Sequence, residues 1–187
     1  MIKVAIVGNI ASGKSTAEKI LENKGFPILD TDKVCHNLLD KLDEIKLTFK
    51  DYDIFDNRVI SREKLGKLVF NNPKLKQVLE NLLYPHVKKE ISKFFENNTN
   101  SKYAFVSVPL LFEAGMEDMF DKILFIYCDD NIRLKRLISR NNYNKDYAQI
   151  RISSQISQDE KIKKADWVIY NNSSLSDLEH EISKIIV

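Results

Sequence analysis

The stretch Gly8-Asn9-Ile10-Ala11-Ser12-Gly13-Lys14-Ser15 fits the G-x-x-x-x-G-K-[ST] spacing of a phosphate-cradling loop, which works only between a strand and a helix. Both flanks comply. Ile2 to Val7 (IKVAIV) is a short β-branched apolar run, the pattern of a strand buried on both faces of a parallel sheet. Thr16 to Lys24 predicts a helix, because Ala17, Ile20 and Leu21 recur at i, i+3 and i+4 and Gly25 follows as a left-handed stop.

The loop's chemistry has three parts. Glycines let the backbone close into a concavity whose N–H groups point at an anion. The helix start adds its positive dipole end. Lys14 brings a movable charge to the outer phosphates, and the Ser15 hydroxyl is placed to coordinate a Mg²⁺ that bridges two phosphate oxygens. The pattern predicts a nucleoside triphosphate site, against the plainer reading of a Gly-rich turn that binds nothing.

Further apolar runs at Phe26 to Leu29, Tyr103 to Val108, Ile123 to Cys128 and Trp167 to Tyr170 alternate with helical stretches. Together they predict an α/β fold with a five-stranded parallel sheet, helices on both faces and ligands at the carboxyl ends of the strands. A helical excursion separates the second and third runs. Asn37 to Phe70 is broken by the turn-like Asp51 to Asn57, and Pro73 to Phe95 carries Leu75, Val78, Leu79, Leu82 and Leu83, with Pro85 expected to bend or end it. Such an insertion could wall a pocket for an acceptor substrate.

A length of 187 residues with 43% apolar content suits one domain with a real core. The 29 basic and 27 acidic residues are spread along the chain, so neither nucleic acid nor an acidic membrane is an expected partner. Cys35 and Cys128 fit reduced cytosolic thiols better than a disulfide scaffold. The chain opens at once on a strand, which predicts no signal peptide, and it reaches Val187 without an extension after the last helix. No apolar run approaches the roughly 20 residues of a membrane span.

Asp30-Thr31-Asp32 follows the second strand, beside the glycine loop in a right-handed βαβ arrangement. Asp32 is placed either to accept or orient the proton of an attacking hydroxyl, with Asp30 on metal-bound water or shaping the turn, or simply to cap a helix. Arg133, Arg136 and Arg140 share one helical face at i, i+3 and i+7, and Arg151 follows. They read either as lid cations that neutralise a transferring phosphoryl group or as a solvated basic face. Asn141, Asn142 and Asn144 form a polar break suited to a hinge. Asn171 reads as an adenine contact or a turn residue. His36, His86 and His180 lack metal-ligand spacing.

The nearest match to a GTPase base reader, Asn144-Lys145-Asp146-Tyr147, has its Asp one place early, and no LSGGQ signature occurs. A small P-loop kinase remains, and ordered segments sharpen it. These are Gly8 to Thr16, Leu29-Asp30-Thr31-Asp32, Val59-Ile60-Ser61-Arg62, Leu65-Gly66, Val69 to Pro73, Leu82-Leu83-Tyr84-Pro85 and Val108-Pro109-Leu110-Leu111-Phe112-Glu113. Leu134-Lys135-Arg136-Leu137, Arg140, Arg151 with Gln155, Ala165-Asp166, Val168-Ile169 and Asn171-Asn172 continue the series. Along nearly its whole length the chain resembles the dephospho-CoA kinases.

The resemblance implies ATP and Mg²⁺ as cofactors and transfer of the γ-phosphoryl group to the ribose 3′-hydroxyl of dephospho-CoA, giving CoA and ADP. It also implies Asp32 as general base and Lys14 with Gly8, Asn9, Ile10, Ala11, Ser12, Gly13, Ser15 and Thr16 as the ATP site. Ser15 becomes the metal ligand, Arg140 a lid arginine, and Arg136 and Asn171 further ATP contacts, while Leu111, Phe112 and Glu113 join Asp32 on the acceptor side. The implied layout is a single P-loop kinase domain with its core at 1–36 and 101–187, a CoA-binding insertion at about 37–100 and a lid at about 136–156. A cytoplasmic monomer or small homo-oligomer acting on a small molecule, without nucleic-acid or membrane partners, completes it. The chain departs from the family at Asn9 and Ala11, where glycine is usual, at Thr31, and at Tyr84, where histidine commonly precedes the proline. A nucleoside monophosphate kinase and a non-catalytic ATP-sensing module are the rival readings.

Overall fold

Residues 1–57 and 59–186 are described by the structure, a computed structural model; Val187, the expected chain end, lies outside them. β1 (Ile2–Val7) leads through the glycine loop into α1 (Lys14–Asn23) and β2 (Ile28–Asp30). Then come α2 (Thr31–Lys41), α3 (Asp43–Thr48), β3 (Phe55–Asp56), β4 (Val59–Ile60), α4 (Arg62–Asn71) and α5 (Pro73–Asn97). β5 (Tyr103–Ser107), a 3₁₀ turn at Glu117–Met119, β6 (Lys122–Tyr127), α6 (Asp130–Asn141), α7 (Lys145–Ser153), α8 (Gln158–Ile162), β7 (Trp167–Tyr170) and α9 (Leu175–Ile185) follow.

The chain divides into two compact units, one of residues Met1–Asp30 with Phe95–Val187 and one of Thr31–Phe94. The first holds a five-stranded sheet in the order β2-β5-β1-β6-β7, every pairing parallel. Val4, Ile6, Phe105, Leu124, Ile126 and Ile169 pack with Ala17, Ile20 and Leu21 of α1 and Leu178 and Ile182 of α9. The alternate positions Ala5, Val7, Val106 and Phe125 are equally buried, so both sheet faces are covered and the strands read as continuous apolar runs. α9 starts on a capping box in which the Ser174 hydroxyl accepts from the Asp177 N–H and the Asp177 carboxylate accepts from Ser174.

The five strands lie where the apolar runs predict, with shifted ends. β2 begins at Ile28 because Pro27 has no N–H for the ladder; its carbonyl accepts from the Phe105 N–H at 3.0 Å, and Phe26 packs edge-on against Tyr103 and Phe105. α1 begins at Lys14, two residues early, because Gly13 (φ 94°) turns the loop directly into the helix. Gly25, at φ 85°, takes the left-handed conformation expected of the stop.

In the second unit Leu39, Ile45, Phe49, Ile54, Ile60, Leu65, Leu79 and Leu83 form the core. The turn-like segment turns through residues 51–53 as expected and then leads into a small antiparallel hairpin, Phe55 opposite Ile60 and Asp56 opposite Val59, with Lys64 ion-paired to Asp53 and Asp56. Pro85 does not end its helix. Leu79, Leu83, Val87, Ile91 and Phe95 make a buried stripe at fourfold spacing along α5, and burial of that stripe outweighs the one backbone bond a proline removes. Among the described residues no helix is long and apolar enough to cross a membrane.

Asp166, just before β7, ties that strand's entry to β6: its carboxylate accepts from Lys122 Nζ at 2.9 Å and the Ile123 N–H at 2.8 Å. Partial burial pushes its carboxyl up, but these two donors prevail and hold it below the ordinary range. A carboxylate whose folded pKa is depressed stabilises the fold above its unfolded pKa and loses that contribution as pH falls through the folded value. Asp166→Asn is therefore expected to cost about 1 kcal/mol at neutral pH and progressively less below about pH 4. Chemical denaturation across that range checks it; a pH-independent deficit would contradict the assignment.

Candidate active site

The glycine loop is built by contacts that arrive from remote segments. The Ser12 N–H closes onto the Asn9 carbonyl at 3.0 Å, and the Thr16 N–H onto the Gly13 carbonyl at 2.9 Å. Gln155 Oε1 accepts from the Ile10 N–H at 2.8 Å, and Asn9 Nδ2 donates to the Ile156 carbonyl at 2.9 Å. Asn171 is buried and donates to the Ser12 carbonyl at 2.7 Å, so it braces the loop. The Ile10 N–H is likewise committed to Gln155 and is not a phosphate donor in this state.

A Cβ on Gly13 would stand 2.0 Å from Asn171 Nδ2, and one on Gly8 would stand 2.5 Å from Ser12 Oγ. Close approach of Asn171 and Ser12 therefore leaves no space for a side chain at either glycine. Ser12 Oγ and Asn9 Oδ1 are buried without a hydrogen-bond partner among the described residues. The N–H groups of Lys14 and Ser15, at the start of α1, have no carbonyl to pair with inside the helix. A polyphosphate suits these groups. Ala11 occupies φ 62° without being glycine, a conformation that costs roughly 1–2 kcal/mol in an L-residue.

Lys14 Nζ lies 2.8 Å from Glu18 Oε1 and donates to Ser107 Oγ, whose hydroxyl donates to the same carboxylate oxygen at 2.6 Å. Ser107 closes β5 and is fully buried, level with Ile6 of β1 on one side and Asp30 of β2 on the other. Asp30 is consequently two strands from the loop's own strand, with β5 interposed, and is not beside it as the sequence suggested. β2 passes straight into α2, so Asp32 is an exposed residue of the first helical turn and not the cap.

The arginines of α6 separate by depth. Arg133 is 1% exposed; its Nε donates to the Ile10 carbonyl at 2.9 Å and its Nη1 to Asp130 at 2.6 Å. It is a structural strut of the loop, not part of a solvated face. Arg136 is half-buried beside Gly13, and its Nη1 donates to Cys128 Sγ at 3.4 Å. Burial pushes the Cys128 thiol up against the pull of Arg136 and Arg133. Arg140 is exposed and donates to Asn141 at 2.9 Å. The polar break is real: Asn142 takes φ 52° at the end of α6, and the Asn144 side chain caps α7 through the Tyr147 N–H, which gives the near-miss base reader a structural task.

Replacing Arg133 by Met keeps the stem and removes the donor to Ile10. Expected is a loss of about 1–3 kcal/mol, with Tm down by roughly 2–4 °C per kcal/mol for a chain of this size. Calorimetry without ligand checks it, and an unchanged Tm would remove the strut.

After β5, Leu111 is fully buried and packs into the core, so it lines no surface. Phe112 stands under two lysines, Lys164 Nζ at 5.1 Å and Lys161 Nζ at 6.0 Å from its ring centre. Lys161 has a fully buried side chain and ion-pairs with Glu113 at 3.0 Å, at angles that fall short of a hydrogen bond. A cleft of about 340 Å³ lies here, lined by Phe112, Ile156, Glu160, Lys161, Lys163 and Lys164. Sequence reasoning misses Glu18, Ser107 and Lys161, although the i, i+4 spacing of Lys14 and Glu18 could have found the first; it singles out Arg133, but as a lid cation and not as a strut.

A family model for dephospho-CoA kinase matches residues 2–177. Among curated proteins, a dephospho-CoA kinase of Fusobacterium nucleatum is 39% identical over 97% of this chain and 95% of its own. One of Carboxydothermus hydrogenoformans is 36% identical over 98% and 92%. Among solved structures, TT1252 from Thermus thermophilus superposes with a TM-score of 0.88 at 30% identity, covering 99% of this chain and 96% of that one. The dephospho-CoA kinase from Campylobacter jejuni does so with 0.75 at 33% identity over 98% and 94%. A shikimate kinase from Acinetobacter baumannii, at 13% identity and a TM-score of 0.55, shares the fold alone. With this sheet, this loop and a family match that spans nearly every residue, the chain belongs to the dephospho-CoA kinase family.

Proposed function

We propose that the protein transfers the γ-phosphoryl group of ATP to the ribose 3′-hydroxyl of dephospho-CoA, the last step of coenzyme A synthesis, in the cytoplasm. The observation that carries the reading is the full-length likeness to dephospho-CoA kinases, joined to a G-x-x-x-x-G-K-S loop that holds two buried polar oxygens, Ser12 Oγ and Asn9 Oδ1, unpartnered among the described residues. Bound Mg²⁺-ATP would supply the phosphoryl group with part of its charge already neutralised. Lys14, once drawn from Glu18, holds the outer phosphates; Ser15 offers its hydroxyl to the metal; Arg136 beside Gly13 and the exposed Arg140 add positive charge. Asp32, directly after β2, accepts the proton of the acceptor hydroxyl, and Phe112 and Glu113 contribute to the acceptor side. The helical insertion would hold the rest of the CoA skeleton, and the segment from α6 through α7 would act as lid.

A coupled ADP-release assay with Mg²⁺-ATP, comparing dephospho-CoA with AMP, CMP and adenosine and identifying the product by mass, tests it. Turnover with dephospho-CoA alone is expected. Turnover with AMP or CMP instead would mark a nucleoside monophosphate kinase, and ATP binding without turnover on any acceptor would favour a sensing module.

A further inference from the structure

The pairing of Lys14 with Glu18 raises the question of what neutralises the carboxylate once the lysine is drawn to phosphate. Glu18 stands one turn into α1 with its side chain only 14% exposed, accepting from Lys14 at 2.8 Å and from the Ser107 hydroxyl at 2.6 Å. Removing one partner of a mostly buried ion pair strands the other at high cost. A second cation must then approach Glu18. Ser15 precedes Glu18 by three residues, so the metal-binding hydroxyl and this carboxylate share one face of α1.

P-loop enzymes commonly hold their magnesium with the loop Ser or Thr and an aspartate near the loop. The strands that flank β1 here offer no uncommitted carboxylate. β5 ends Val106-Ser107-Val108. After β6, Asp129 engages the Tyr127 hydroxyl, and Asp130 accepts from Arg133 at 2.6 Å and from Gln158 at 3.0 Å. Mg²⁺ in nucleotide sites is bound by one or two carboxylates with phosphate oxygens and retained waters, and among the described residues no cluster of three or more His, Cys, Asp or Glu could hold a metal by itself. A lone carboxylate completed by phosphate matches both conditions.

We propose that Glu18 supplies the carboxylate of the magnesium site, directly or through a retained water, with the Ser107 hydroxyl fixing its orientation. Lys14 and the metal exchange places as the counter-ion of Glu18 when nucleotide binds. The proposal rests on the ATP half of the reading above and is independent of the acceptor.

The test is Mn²⁺ binding, followed by electron paramagnetic resonance, to the full chain with ATP and no acceptor, alongside calorimetry of metal-free ATP. Glu18→Gln is expected to weaken Mn²⁺ affinity for the ATP complex about 10-fold or more while metal-free ATP binds as well as before or tighter, because Lys14 is released. Ser107→Ala, which keeps the carboxylate and loses its orienting group, should weaken Mn²⁺ by a smaller factor with the same split, and it carries the test if Glu18→Gln fails to fold. Mn²⁺ affinity within about twofold of the unaltered chain would overturn the proposal. So would a matching fall in metal-free ATP affinity, which would mean a damaged loop. Failure of dephospho-CoA as acceptor with ATP binding intact would leave it standing, whereas an unaltered chain that binds no ATP would overturn both readings.

Discussion

Asp32→Asn is expected to lower kcat with Mg²⁺-ATP and dephospho-CoA by about 10²–10⁴-fold, the usual loss when a positioned general base is removed. Asn keeps the size of the side chain and one acceptor oxygen but cannot take up a proton. Asp32 is an exposed residue in the first turn of α2, where a carboxylate also favours the helix dipole. That structural contribution is about 0.3–1 kcal/mol and would appear in Tm. The two roles therefore separate: a base loses turnover with ATP affinity kept, whereas a helix-stabilising acid loses a little stability and keeps its rate. Steady-state turnover, ATP calorimetry and a melting curve on the same preparation decide between them. A kcat within about threefold of the unaltered chain would exclude Asp32 as the base.

The second large effect is expected at Gly13. Its φ of 94° is closed to L-residues without strain, and its Cβ position is already taken by Asn171 Nδ2 at 2.0 Å. Gly13→Ala must bear about 1–2 kcal/mol of backbone strain and displace the Asn171 amide from the Ser12 carbonyl, about 1 kcal/mol more. If the loop escapes by abandoning its cradle shape, ATP affinity should fall roughly 30- to 100-fold, at 1.4 kcal/mol per decade. Adding Asn171→Ala clears the space without relieving φ, so the double variant should recover only part of the loss. Full recovery would mean that collision, not backbone conformation, reserves this position for glycine; an affinity within about fivefold in the single variant would show that the loop accommodates the methyl group.

Phe112, Glu113 and Asp32 entered as acceptor-side residues through family likeness. In the structure two lysines stand over Phe112, Lys161 ion-pairs with Glu113, and Leu111 of the same segment is fully buried. The separation of Arg133, Arg136 and Arg140 is equally instructive. Their spacing puts all three on one helical face, yet depth assigns them different work. Arg133, nearest the loop, is spent on a backbone carbonyl, while Arg140, two turns on, stays exposed.

Whatever depended on near neighbours in the chain was determined by the sequence alone. β1, the glycine loop and α1 follow from residue types within 25 positions, because strand runs, helical periodicity and left-handed glycines act over one or two turns. The parallel sheet follows from the alternation of such elements, and the family from the order of its motifs. Tertiary structure decided how the loop is braced, and it added Ser107 to the Lys14–Glu18 pair that the i, i+4 spacing allows. Gln155, Asn171 and Arg133 reach the loop across 145, 159 and 123 positions, and Ser107 reaches Lys14 across 93. It also decided that α5 runs through Pro85 and that Asp32 lies inside its helix. The physical reason is common to all of these: a hydrogen bond or a buried stripe is worth its energy only where both partners leave water together, and which partners do so is a property of the packed sheet and helices, carried by no local pattern.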